Sequence, residues 1–567
     1  MRVLLVTAHG PYAPVWGENL HDLFAARLTR GQGMFSFTSH WHAFGLHLIA
    51  ENLRAPTTVL EEPSLEDFTR ELAQGYDVVG FQLMSRHSVR VAAMAEAVKK
   101  ALPRARVVLG GFGAAALADD VPNDPEKAAD RLRAAAHHVC REDGVSYMRA
   151  LLGEPPGPVV QRSLPMAGFS MRGFSRRYMR VPVVLAALGC PNGCSFCNTS
   201  AYAGRRKVSV ADPEEAVAAL EAQAARLGGG AFLSLVFDED IFSDLAWVRR
   251  FGALLKARRE RWGWKWFGFG SVRSLSALSA EEVRELGCGA LWTGVESFAE
   301  GGAPGEEALA KRAGDPAKVV RALHEQGVLV VASMALGFDG HTRASAERDV
   351  DAFVRLRPPF YQVAPLNPCP GTPLYARLKM EGRLDPTYRW EDFHLFRGDW
   401  ASHPNLAPGE TRELFELAHR RLAAENGPPF LGMLEGFLNA RRAWGRGTDA
   451  HARRQVELYT GLAALCRALL APIAEHAAGP GARARAAELA ERAQAELGSP
   501  TLVGRVMAGL ASWNLARAAR RDLSTPPSYA PPTRWTYYNQ DPQGRVLVRK
   551  GRGGKARPLG RHFGVFG

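Results

Sequence analysis

Unbroken apolar runs alternate with stretches of helical spacing along the first 150 residues. Residues 2–7, 57–60, 77–81 and 105–111 are apolar runs. Between them, 45–53, the stretch through Phe68 and Leu72, and 91–101 carry apolar residues at the helical repeat. A strand buried on both faces reads as a continuous apolar run, and strands alternating with helices build a parallel sheet. A further strand and turn follow at 138–144. Residues 1–152 are therefore expected to form an open parallel α/β sheet that binds ligands at its strand C-terminal ends.

A Pro/Gly-rich span opens a linker, 153–180. The alternation then resumes. Apolar runs at 181–188, 232–237, 264–269, 291–297, 328–337 and 361–365 are separated by helical stretches. One of these starts at Asp212-Pro213-Glu214-Glu215, with Asp as N-cap, Pro in the first turn and acids facing the positive end of the dipole. Six βα units predict a partial (β/α)6 barrel over 181–390. Polar residues sit just past each strand, on the face where such barrels carry out chemistry. From 410 to about 520 the spacing is helical. This predicts a C-terminal helical domain (391–524) acting as a lid or substrate platform. Residues 525–567 are Pro-rich, then basic (Arg549, Lys550, Arg552, Lys555, Arg557), and read as a flexible tail.

Composition changes this picture little. A length of 567 residues requires several domains, and 46% hydrophobic residues suit ordinary cores. No apolar run reaches transmembrane length, and the start is too short for a signal peptide and reads as a first strand. Seven cysteines, three of them in one motif, argue against a disulfide framework and for a reducing cytoplasm. The net charge of +13 admits an anionic partner or a peripheral anionic surface contact through the tail, or reflects background composition.

The chemistry concentrates at Cys190-Pro-Asn-Gly-Cys194-Ser-Phe-Cys197, a C-x3-C-x2-C spacing after an apolar strand. Gly189 and the Pro191-Asn192-Gly193 turn bring the three sulfurs round one centre. Thiolates this close bind soft metal, and cysteines hold iron–sulfur clusters. A cubane needs four ligands and no fourth cysteine is near, so one iron is left open to a small molecule. The alternatives are a zinc site of three cysteines and one histidine, or three buried thiols, and the zinc site is the one that spacing can test. Zinc sites more often pair C-x2-C with a distant second pair, and no matching pair exists. Cys140, Cys288 and Cys466 are too scattered for a second cluster, and Cys369 reads as a buried thiol.

The motif, with Phe196 before its last cysteine, resembles the signature of the radical S-adenosylmethionine (SAM) superfamily. The resemblance implies that Cys190, Cys194 and Cys197 hold a [4Fe–4S] cluster. It implies that SAM chelates the fourth iron and is cleaved to a 5′-deoxyadenosyl radical by one electron from an external flavodoxin- or ferredoxin-type donor. The N-terminal part resembles the Rossmann-like cobalamin-binding domain of one radical SAM class, through Gly45-Leu46, Ile49-Ala50, Val108-Leu-Gly110-Gly111 and the turn at 138–144. Gly110 and Gly111 would let backbone approach a nucleotide tail. The D-x-H-x-x-G motif that supplies cobalt with a histidine is absent where Thr7-Ala-His9-Gly-Pro-Tyr12 stands. His9, His40 and His42 are candidate pocket residues, and cobalamin bound without a histidine ligand is the expectation. The alternative is a wall that caps the barrel and binds nothing.

The same resemblance assigns the strand ends. Asp238, Glu239 and Asp240 fall where the family holds the SAM ammonium, a cation that carboxylates suit. Glu296 and Ser297 match its Gly-x-Glu-Ser. Ser271 and Arg273 lie at the third strand end, where Arg273 pairs with either the SAM carboxylate or Glu296. Gly337 lies where backbone runs beside adenine. Pro370-Gly371-Thr372 resembles the sixth-strand motif of the cobalamin-linked class.

The implied function is cobalamin-dependent methylation of an unactivated carbon in a small-molecule substrate. Radical cyclisation, rearrangement or coupling without methyl transfer is the alternative. An RNA-modifying or RNA-binding protein, suggested by the basic tail, and a non-catalytic iron–sulfur protein are the readings from other classes.

Overall fold

The computed structural model describes residues 1–8, 35, 37–117, 124–171, 179–228, 233–258, 265–298, 314–393, 398–520, 533–541, 545–551 and 557–558. It is a mixed α/β protein with two large sheets. The first strand, β1 (Val3–Val6), is buried at every position. β2 (Phe37–His40) leaves for a small antiparallel sheet. β3 (Thr57–Glu61), β4 (Val78–Gln82), β5 (Arg106–Gly110) and β6 (His138–Val139) align parallel with β1 in the order β3-β1-β4-β5-β6. β7 (Ala167–Met171) and β8 (Met179–Val181), in the expected linker, join β2.

The second sheet begins at β9 (Val183–Leu185), followed by the short antiparallel pair β10 (Ala187–Leu188) and β11 (Val208–Ser209). β12 (Leu233–Phe237), β13 (Lys265–Phe269), β14 (Cys288–Glu296), β15 (Leu329–Leu336) and β16 (Phe360–Pro365) add to β9 in sequence order, all parallel. Period-two alternation sorts their side chains. Val184, Val236, Trp266, Leu291, Val330 and Tyr361 pack outward against helices. Leu185, Leu235, Phe267 and Val331 point inward with Phe237, Phe269 and Trp292. Phe237, Phe269 and Trp292 form a stacked ladder with centroids 6.0–6.2 Å apart, and Phe44 of the N-terminal part packs on Phe237 at 5.8 Å. The ladder fills the barrel interior on the β12–β14 side.

Several expectations are corrected. Helix Glu410–Glu425 lies within the barrel layer, since Leu414, Phe415, Ala418 and Leu422 share its core. The later helices are no lid. Pro429–Trp444 carries Gly432 and Gly436 one turn apart, where a Cβ would collide with Pro359 and Leu329. These glycines seat the helix against the N-terminal ends of β15 and β16, opposite the barrel mouth. Within this bundle Ala450–Glu475 is long and apolar enough to cross a membrane by length and composition, contrary to the expected absence of such a run. Tyr459, Ala463, Cys466 and Ile473 nevertheless pack in the bundle core.

The basic tail is corrected as well, over its described residues. β17 (Arg534–Gln540) pairs antiparallel with β3, and β18 (Val546–Lys550) and β19 (Arg557–Pro558) extend the sheet. The edge of β3 offers unpaired backbone groups, and the tail supplies their partners. Side chains lock the junction. Buried Glu61 accepts from His42 Nδ1 at 2.8 Å and from the Ala43 amide at 2.7 Å. It lies 3.1 Å from His47 Nε2 and 3.4 Å from Arg534 Nε. His47 Nδ1 is 2.8 Å from the Tyr538 hydroxyl. His42, His47 and Glu61 have metal-like spacing, but Arg534 already supplies the cation. His42, expected as a pocket residue, belongs to this lock.

Burial opposes ionisation of Glu61, yet Arg534, His42 and His47 outweigh it and hold the carboxyl well below its usual range. Burial pushes His42 down to about 3, against Glu61. Both folded-state values lie below the unfolded ones, so the stability they bring is present above the unfolded values and lost as pH falls. The apparent Tm should therefore drop between pH 7 and 4, and Arg534→Leu, which strands a buried carboxylate, should cost about 3–5 kcal/mol. Thermal unfolding of both proteins across that range is the measurement.

Candidate active site

The cluster loop leaves β10 through Gly189, whose φ is +82°. A Cβ there would collide with Arg206 O and Ala203, so only glycine makes this turn. The turn carries Cys190 and Cys194 into buried positions. Cys197 is half-buried and caps the short helix Asn198–Tyr202. Ser200 Oγ donates to Cys190 O at 3.0 Å and accepts from the Gly193 amide at 3.1 Å, which closes the loop on itself. The Leu374 amide donates to Ser195 O at 3.0 Å, tying the loop to helix Pro373–Met380 past β16.

The carboxylates after β12 brace this loop. Asp240, 1% exposed, accepts from Asn192 Nδ2 at 2.8 Å, Ser274 Oγ at 2.6 Å and the Ser271 amide at 3.2 Å. Arg273 donates to Asn192 Oδ1 at 2.6 Å. Arg273 thus holds the turn between the first two cysteines, where a pairing with SAM or Glu296 was expected. Ser271 caps helix Val272–Leu275. Asp238 is bonded to Lys207 Nζ at 2.7 Å and to the Asp240 amide at 3.0 Å. Burial raises its pKa against the pull of Lys207. Glu239 is exposed on the rim. The cation that Asp238 holds is therefore a lysine of this chain, one the sequence reading did not single out.

Glu296 is placed differently. The β14–β15 register shifts between Gly294 and Glu296, and Glu296 has φ +62°. A left-handed conformation costs a non-glycine residue about 1–2 kcal/mol, and here it accompanies a carboxylate at a cavity wall. Ser297, its neighbour, turns away and donates to Asp349 Oδ2 at 2.5 Å. The Gly337 amide donates to His341 Nδ1 at 3.1 Å, and Gly337 packs against Thr411.

The cavity measures about 400 Å³. Phe196, Cys197, Asn198 and Thr199 of the cluster loop form one wall. Glu296, Ser333, Gln362, Asn367 and Cys369 at the ends of β14–β16 form another. Met84, Arg86, Phe112 and Gly113, past β4 and β5, close it from the N-terminal sheet. The C-terminal ends of the two sheets thus face one space. Gly110 and Gly111 lie just behind Phe112, and a Cβ on Gly111 would press on Leu83 O at 3.0 Å, so its bareness serves packing within the sheet. His9 lies outside the described residues.

Comparison with known proteins agrees with this geometry. No family model matches the chain. It is 24% identical over 246 residues to bacteriochlorophyllide d C-12(1)-methyltransferase of Chlorobaculum tepidum, which covers 42% of this chain and 51% of that protein. It is 24% identical over 275 residues to an uncharacterised methyltransferase of Pyrococcus horikoshii, covering 44% and 54%. The chain spans about half the length of these curated relatives. Among solved structures, the radical S-adenosylmethionine methyltransferase TsrM from Kitasatospora setae, with tryptophan and a SAM analogue bound, superposes with a TM-score of 0.51. That match has 14% identity and covers 81% of this chain and 98% of that one. The chain has the fold of a radical SAM methyltransferase.

Within that radical SAM fold, sequence reasoning missed Ser333, Gln362 and Asn367. Ser333 and Gln362 are paired in register on β15 and β16. Both fall at inward positions of otherwise apolar strands, and that break in pattern was the available signal. Asn367 is 5% exposed and its amide has no hydrogen-bond partner among the described residues. Leaving a buried polar group unsatisfied costs about 1–3 kcal/mol, so a ligand that meets this amide recovers that cost.

Two variants separate bracing from binding. Asp240→Ala and Asn192→Leu should loosen residues 189–202 and raise their amide exchange at least about tenfold, equivalent to about 1.4 kcal/mol. The N-terminal sheet should keep its protection. Hydrogen–deuterium exchange by mass spectrometry reads both regions in one experiment.

Proposed function

We propose that this chain is a radical SAM enzyme that methylates an unactivated carbon of a small molecule with the help of cobalamin. The observation that carries the reading is a cavity bounded by the three-cysteine loop, the barrel strand ends and the C-terminal ends of the N-terminal sheet.

The residues present fit the proposed groups. Three cysteines outside any disulfide share one braced loop, and Cys197 lines the cavity. This donor set leaves one iron of a [4Fe–4S] cluster for SAM. Met84, Ser85, Arg86, Phe112 and Gly113 form the face that the cavity receives from the sheet resembling a cobalamin-binding domain. Together these groups supply a carbon-centred radical and a transferable methyl group.

The chain's own residues position and shield. Glu296, which lines the cavity at the end of β14, accepts the SAM ammonium. Phe196, packed on Phe338 with centroids 6.3 Å apart, covers the cluster and excludes water. Ser333, Gln362 and Asn367 orient the substrate through hydrogen bonds. The proposed electron donor is an external flavodoxin- or ferredoxin-type protein.

The test is anaerobic reconstitution with iron, sulfide and hydroxocobalamin. About four irons per chain, as one cubane requires, and one retained corrinoid are expected. Replacing Cys190, Cys194 and Cys197 with alanine should remove the iron. SAM and a reductant should then release 5′-deoxyadenosine. Two cubanes' worth of iron would contradict the single cluster. Loss of corrinoid with 5′-deoxyadenosine retained would favour a radical rearrangement or coupling.

Glu296→Gln should weaken SAM binding about tenfold or more, the worth of one charge-assisted hydrogen bond. Asp238→Asn should leave SAM affinity near that of the wild type and lower stability instead. Equilibrium dialysis with labelled SAM, beside thermal unfolding, distinguishes them, and equal SAM affinity in both variants would refute the role given to Glu296.

A further inference from the structure

The last long helix, Leu502–Arg520, is seated on the helical bundle by Ala511, which is buried in the bundle core. Thr501 caps it, accepting from the Gly504 amide at 3.1 Å. The other side of the helix is unusual. Leu502, Val503, Val506, Leu510 and Trp513 are 51–71% exposed. Positions 502, 506, 510 and 513 are spaced four, four and three, so they form one stripe with Val503 beside it. Surface apolar residues are normally scattered singly, and a contiguous stripe marks an interaction site.

Charge selects the occupant. From Leu502 to Arg520 the helix carries Arg505, Arg517 and Arg520 and no acidic residue, and the whole chain is at +13. Pairing with a second copy would juxtapose like charges with no carboxylate to answer them. An electron donor must approach the cluster, but this bundle is seated at the opposite end of the barrel, where Gly432 and Gly436 meet Pro359 and Leu329. A bilayer surface bearing anionic lipids satisfies both features. The apolar stripe enters the boundary between headgroups and acyl chains, and the exposed Arg505 meets the phosphates.

We propose that helix Leu502–Arg520 is an interfacial docking helix that holds the enzyme peripherally on anionic membranes. The expected contact was the tail after residue 525, whose strands β17 and β18 are occupied in the sheet. The helix takes over that role.

The test is co-sedimentation of the full chain with vesicles of phosphatidylcholine alone and of equimolar phosphatidylcholine and phosphatidylglycerol. Wild type should partition onto the mixed vesicles, less so as salt rises, and far less onto the neutral ones. Val506→Glu with Leu510→Glu, both at exposed positions, should lower partitioning at least about tenfold. Arg505→Glu should weaken it and flatten its salt dependence. No sedimentation of wild type, or sedimentation unchanged in the variants, would overturn the proposal. So would a wild-type dimer in analytical ultracentrifugation that the double variant converts to monomer, because the stripe would then be covered by a second copy.

Discussion

One buried carboxylate organises the barrel mouth. Asp240 gathers Asn192 from the cluster loop and both Ser271 and Ser274 from the end of β13, while Lys207 bonds its backbone carbonyl at 2.9 Å. A buried charge is tolerated only when its lone pairs are met by donors. The requirement works in both directions. The donors must come to the carboxylate, and in coming they fix the loop that carries three cysteines. Arg273 and Lys207 complete the bracing, so the polar residues of this rim serve mainly to hold protein against protein.

That division leaves the working cavity on the other side of the barrel. The ladder of Phe237, Phe269 and Trp292 occupies the interior below β12–β14, with Phe44 packed on it. Open space remains at the ends of β14–β16. There Glu296 sits at a strained backbone position and Ser333 and Gln362 interrupt an apolar lining. The N-terminal sheet presents the ends of β4 and β5 to the same space. A substrate entering it meets Glu296, Ser333, Gln362 and Asn367 on one wall, and Met84, Phe112 and Phe196 interspersed with Arg86, Asn198 and Thr199 on the others.

Much of the architecture was legible because the second sheet and the β3-β1-β4-β5-β6 part of the first are parallel. Each strand reads as a buried apolar run, and each crossover helix is long enough to show its own period. The cluster loop was legible for a different reason: cysteine spacing is a local property. The roles of Asp238 and Arg273 were not. Sequence position places both at strand ends, but whether a charge faces a ligand or a neighbour depends on Lys207 and Asn192, which lie 31 and 81 residues away in sequence. The tail misled for a related reason. Gly and basic residues suggest a solvated chain, and only the free edge of β3, far upstream, turns Arg534–Gln540 into a strand.

That edge has a consequence for how the protein is made. β3 and its partner strand are joined by a contact between residues 473 apart in sequence. At typical elongation rates of about 5–20 residues per second, roughly half a minute or more passes between synthesis of Glu61 and of Arg534. Throughout that interval the N-terminal sheet emerges with one edge unpaired and Glu61 lacking its arginine. A sheet is thus completed by a strand made 473 residues after the edge it covers. A chain terminated between β3 and residue 534 carries that unpaired edge, a template for pairing with other chains.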